Sequence, residues 1–228
     1  MAIAFFVVGA GRSGTSLLAS MIDAHPQLTC GMEVASVNCL SGNHCKNPAL
    51  VDERLLCLER ACLDMSLTVK NDWGNKVTTE QIAFLDAIAH AETAFFQHFA
   101  TQKIVYVLRD GRSCVASKMK RMGKSVDQAI ASWRRSLHML DWLREHASDR
   151  LLEIRFEDLL SNPETVLSTV AQFLGQSYHP DMLKGPENPI MPDIYKGVKN
   201  LQANKAFQPP FEDWHVEIRE ELERYGYL

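Results

Sequence analysis

Uncharged apolar runs, glycine turns and amphipathic stretches alternate along this chain. Residues 3–8, I-A-F-F-V-V, carry neither charge nor alternation, as a strand buried on both faces requires. Gly9, Gly11 and Gly14 follow, and residues 16–22 then set Leu17, Leu18, Met21 and Ile22 at helical spacing. Pro26 disfavours helical geometry at His25 and ends that helix. Residues 28–31 predict a short second strand that delivers Glu33 to a loop near the sheet edge. Residues 34–48, with Asn, Ser, Gly and Pro, read as a loop or lid. Helical periodicity returns over 48–67 and, in two pieces, over 79–99, with a polar break at 70–76 between them. Residues 104–108 form a third apolar strand that runs through a glycine turn into a helix. Residues 126–146 predict a long amphipathic helix, and 151–156 a fourth strand. Asn162-Pro163 starts a helix that stops at Gly175. Residues 176–210 form a long loop, and 213–225 a closing helix. Strands alternating with helices predict an α/β fold with a central parallel sheet.

Composition narrows the class. With 228 residues and 46% hydrophobic content, the whole chain, 1–228, is expected to build one domain around one core. A formal charge of -4 gives no general attraction to nucleic acid or to an anionic membrane, so any basic site must be local. No apolar run reaches the length of a membrane span, and no basic n-region of a signal peptide precedes the first strand. The six cysteines follow no evident disulfide framework, which fits a reduced, cytoplasmic setting. Cys39, His44 and Cys45 have no regular zinc-site spacing, so a metal site is not expected.

Candidate chemistry sits at two strand ends. Strand, glycine-rich turn and helix aim backbone N–H groups and a helix N-terminus at an anion. The span from Gly9 to Gly14 matches both the dinucleotide pattern G-x-G-x-x-G and the frame of the phosphate loop of nucleoside-triphosphate enzymes. Thr15 stands where the phosphate loop needs lysine, Ser16 fills its Ser/Thr slot, and Arg12 supplies a positive charge inside the loop. The second cluster follows residues 104–108. Arg109 ends the strand, Arg112 lies in the turn, and Ser117 and Arg121 share a helix face one turn apart, the makings of a second phosphate site. On the residues alone, a triphosphate-dependent kinase, a dinucleotide-binding oxidoreductase and a non-catalytic nucleotide module stay open.

The segments 9–26, C-G-M-E (30–33), G-N-K (74–76), V-L-R-D-G-R-S-C-V-A-S (107–117) and F-E-D-L (156–159) together resemble the sulfotransferases that use 3′-phosphoadenosine-5′-phosphosulfate (PAPS). The likeness is closest to the branch with protein-tyrosine and carbohydrate sulfotransferases. It implies a three-layer, P-loop-like α/β fold, the product 3′,5′-ADP and no required metal. It further implies that Arg12, Ser13, Gly14, Thr15 and Ser16 cradle the 5′-phosphosulfate, and that Arg109, Ser117 and Arg121 hold the 3′-phosphate. Phe156 falls where relatives place an aromatic against the adenine, and Lys196, with Lys199 as its competitor, falls where they place a basic phosphate-binding loop. Glu33 is the implied base, with His25 the competitor, and Lys76 the implied cation near the breaking bond. The acceptor is then a hydroxyl on a small molecule, a sugar or a peptide side chain, and residues 34–72 and 176–210 are its expected binding or lid segments.

Overall fold

The computed structural model describes residues 3–69, 72–190 and 212–228. Five parallel strands form one sheet: β1 (Phe5–Gly9), β2 (Leu28–Met32), β3 (Asp72–Thr78), β4 (Lys103–Leu108) and β5 (Leu151–Arg155), in the order β2-β3-β1-β4-β5. Side chains alternate across β1. Phe5 and Val7 enter one hydrophobic cluster and Phe6 and Val8 the other, so the apolar run is buried on both faces as expected.

Helices cover each face and complete three layers. On one side lie α1 (Thr15–Asp23), α8 (Phe156–Ser161), α9 (Pro163–Leu174) and a 3₁₀ segment, Pro180–Glu187, that packs on α1. On the other lie α2 (Ser36–Leu40), α3 (Val51–Ser66), α4 (Thr79–Ile82), α5 (Ala91–His98), α6 (Gly111–Met122) and α7 (Val126–His146). The last described elements, Asp213–Ile218 and Arg219–Arg224, join that second side. Local signals set several boundaries. Pro163 opens α9, Gly175 closes it at φ 91°, and Ser125 and Gln128 make the reciprocal cap of α7.

Four expectations need correction. The polar break at 70–76 is, from Asp72 onward, part of strand β3, lying between β2 and β1. Its polar residues are satisfied by the loop that leaves β2. Asn75, wholly buried, accepts the Val34 N–H and donates to the Val34 carbonyl, both at 3.1 Å, and Lys76 pairs with Glu33. Gly74 leaves room for the Phe5 ring on the neighbouring strand. Residues 36–40 are helical rather than loop, and the segment is anchored where Arg54 donates to the carbonyls of Leu40 and Pro48. Not all thiols are free: a disulfide joins Cys39 to Cys57 and ties α2 to α3. Residues 176–190 of the expected long loop carry the 3₁₀ segment Pro180–Glu187.

Candidate active site

Because the sheet is wholly parallel, its strands end together. Gly9 lies level with Thr78 of β3 and Val107 of β4, and Met32 lies level with Lys76. The loops after β1, β2, β3 and β4 therefore open on one edge, where binding sites of such sheets form. A cavity of about 350 Å³ lies there. Arg12, Gly14, Thr15, Ser16, Glu33, Lys76, Arg109 and Phe156 line it, all of them residues singled out by sequence.

The loop after β1 is tightly prescribed. A Cβ on Gly9 would meet the Val107 carbonyl oxygen at 2.6 Å, and one on Gly14, at φ 97°, would enter the Phe156 ring. Arg12 adopts φ 76° without being glycine. Its carbonyl accepts from Arg109 Nη1 at 2.8 Å, and its Nε donates to Ser117 Oγ at 3.0 Å. The two arginine clusters read separately from sequence thus touch. Ser13 turns inward instead: it is buried, and its N–H donates to the Ala10 carbonyl at 3.0 Å. The donors left for an anion are the N–H groups of the first turn of α1, which has no side-chain cap.

Around the second cluster, the Arg109 guanidinium lies over the Phe156 ring at 4.4 Å. Asp110 caps α6 by accepting the Arg112 N–H at 2.9 Å and is ion-paired to the Arg112 guanidinium. Asp110 is thereby engaged in structure. Arg121 lies exposed near the end of α6, outside the cavity lining, while Met122 belongs to that lining. Lys196 and Lys199 lie outside the described residues.

On the β3 side, the Lys76 ammonium forms an ion pair with Glu33 Oε1. Glu33 has φ 58°, held by its N–H on the Lys76 carbonyl at 2.9 Å. His25, the competing base, is 3% exposed at the far end of α1 and does not line the cavity. Its Nε2 is 2.9 Å from the Ser177 carbonyl and its Nδ1 accepts the Gln27 N–H, so it closes a turn. Burial first, and the Asp23 charge second, push the Cys30 thiol above its ordinary value, which makes it a packing residue of β2.

Sequence reasoning missed Thr78, Glu80 and Gln81, which also line the cavity. Thr78 ends, and Glu80 and Gln81 follow, a strand that composition disguised. The capping pair Thr78–Gln81 was the one local sign of a helix start there.

Residues 4–181 match the family model described as Sulfotransferase family. The chain belongs to that family. Among curated sulfotransferases it is 24% identical over 201 residues to Protein-tyrosine sulfotransferase 1 of Danio rerio, covering 80% of this chain and 56% of that protein. It is 25% identical over 208 residues to Protein-tyrosine sulfotransferase 2 of Gallus gallus, covering 80% and 53%. The chain spans about half the length of these relatives. Its fold is that of solved sulfotransferases. The sulfotransferase domain from the Synechococcus PCC 7002 olefin synthase aligns over 99% of this chain and 94% of its own at 17% identity, with a TM-score of 0.67. The sulfotransferase domain from the curacin biosynthetic pathway aligns over 98% of each at 16% identity, with a TM-score of 0.63. The family and the three-layer parallel architecture are those the resemblance implied.

Proposed function

We propose that this chain moves the sulfonate group of PAPS to an acceptor hydroxyl by in-line displacement. One observation carries the reading: loops leaving the adjacent strands β1 and β4 converge on a single cavity, with Glu33 and Lys76 on its β3 side. A nucleotide phosphorylated at both ends needs two anion sites one nucleotide apart. The N-terminus of α1 with Arg12 would hold the 5′ end, and Arg109 with Ser117 the 3′-phosphate, Arg121 and Lys196 being outer candidates. Arg109 Nε is a buried donor without a protein partner, which suits a site that a phosphate oxygen completes. Phe156, 6% exposed under the Arg109 guanidinium, backs the loop as well as edging the nucleotide site.

Bound PAPS supplies an activated sulfonyl group, and transfer then depends on positioning and on stabilising charge. Glu33 accepts the proton of the acceptor hydroxyl, and Lys76 offsets negative charge developing on the leaving phosphate oxygen. The curated relatives are named for protein tyrosine, so a tyrosine-bearing peptide heads the acceptor panel, followed by other phenols and sugars.

Thermal-shift titration with 3′,5′-ADP, ATP plus Mg, and NAD tests the donor class. A large stabilisation by 3′,5′-ADP alone is expected, because a ligand that binds only the folded state raises its apparent stability. Preference for ATP plus Mg would overturn the reading. Transfer of label from radiolabelled PAPS to the panel then identifies the acceptor.

A further inference from the structure

Beneath the cavity, Lys118 is wholly buried on α6, and Nζ lies 2.5 Å from Glu80 Oε1 and 2.7 Å from Ser132 Oγ on α7. Ser132 Oγ donates in turn to Glu80 Oε1 at 2.8 Å. The other Glu80 oxygen accepts the backbone N–H of Gly11 at 2.8 Å. A Cβ on Gly11 would lie 3.2 Å from Glu80 Oε1, so a larger residue there would crowd the carboxylate. We propose that Glu80 and Ser132, anchored by the buried Lys118, form a strut that sets the loop after β1 in its donor-binding shape, making Glu80 a positioning residue. The inference rests on the sulfotransfer reading above.

The strut grips the loop next to its most unusual residue. Arg12, at φ 76°, is held through the preceding N–H by Glu80, through its own carbonyl by Arg109, and through its side chain by Ser117. Ser117 and Lys118 are consecutive on α6, so one helix fixes both the strut and the Arg12 side chain. Burial would raise the Glu80 carboxyl, but the Lys118 charge and the bonds from Lys118 and Gly11 outweigh it and hold the group below its ordinary value. A buried ion pair is a poor source of stability, since well-packed apolar residues serve as well. What the carboxylate supplies that an apolar residue cannot is a directional acceptor for one loop N–H.

The double variant Glu80→Leu/Lys118→Met removes both charges together with the acceptor of the Gly11 N–H, and leaves no charge unpaired. Two measurements on it separate the strut from the donor reading. Hydrogen exchange on the ligand-free protein is expected to quicken in the loop peptide containing Gly11 and Arg12 while β1 stays protected. Affinity for 3′,5′-ADP is expected to fall by about tenfold to a hundredfold, with a matching rise in donor KM and an unchanged acceptor KM. Lys118→Arg, which keeps the charge, is expected to retain most of the affinity. Unchanged exchange and affinity would overturn the proposal, as would lowered thermal stability with wild-type affinity in the folded protein. If the unaltered protein fails to bind 3′,5′-ADP, the donor reading falls, and the exchange result alone decides whether the strut shapes the loop. Should the double variant not fold, Ser132→Ala removes one bond from each partner and puts the same question at smaller amplitude.

Discussion

The Lys76 ammonium is ion-paired with the Glu33 carboxylate, although 43 positions separate them in sequence. Their surroundings differ: the lysine side chain is 5% exposed within the sheet, the glutamate 36% exposed at the cavity. The lysine is an anchored charge, and the glutamate is the partner open to the cavity. The roles proposed above, base work for Glu33 and electrostatic work for Lys76, rest on that difference.

Glu33→Gln keeps the shape and removes the proton acceptor. Transfer is expected to fall by about 10²–10⁴-fold, the usual worth of a general base, with 3′,5′-ADP affinity retained. Parallel transfer assays and calorimetric titrations check this. Loss of nucleotide binding would instead make Glu33 a prop for its own loop.

Lys76→Met fills the same space without charge. A fall in kcat of about 10²–10³-fold is expected, the scale of removing one preorganised charge or donor at a transition state. Single-turnover kinetics with saturating donor measure it. A raised donor KM with kcat intact would mean that Lys76 binds the donor equally before and during reaction.

Arg109→Ala removes the bond to the Arg12 carbonyl and the contact with the Phe156 ring. Stability is expected to drop by about 1–2 kcal/mol by urea denaturation, and 3′,5′-ADP affinity to weaken by about tenfold or more. An unchanged dissociation constant would remove Arg109 from the nucleotide site.

Gly14→Ala meets two obstacles, the left-handed backbone and the Phe156 ring. We expect a loss of about 2–4 kcal/mol from the two together. Combined with Phe156→Ala, the total loss should be less than the sum of the single losses, since the smaller side chain removes one obstacle. Additive losses would show that the ring is not the obstacle.

Glu80 also links the loop to pH. Its folded value lies below the ordinary 4.5, so its contribution to stability is complete above that value and is lost as pH falls through the lowered one. The acid limb of a urea-midpoint profile should therefore be shallower in Glu80→Gln than in the unaltered protein below about pH 4.5. Parallel limbs would show that the carboxylate is not protonated differently in the folded and unfolded chains.

Sequence by itself determined the features whose cause is local. The apolar run of β1, the glycines after it, Arg109 at the end of β4 and the Pro163 and Gly175 signals of α9 follow from backbone preference and side-chain type within a few residues. Tertiary structure alone decided what depends on partners far along the chain. Asp72–Thr78 becomes an internal strand because Asn75 and Lys76 find Val34 and Glu33 across the neighbouring strand end, so their polarity, which spoke against a buried strand, is satisfied there. Folding buries Lys118 wholly and pairs it with Glu80, whose other oxygen takes the Gly11 N–H of the first loop. His25 closes a turn because a polar group takes whichever partner the fold brings within reach, and composition does not name that partner.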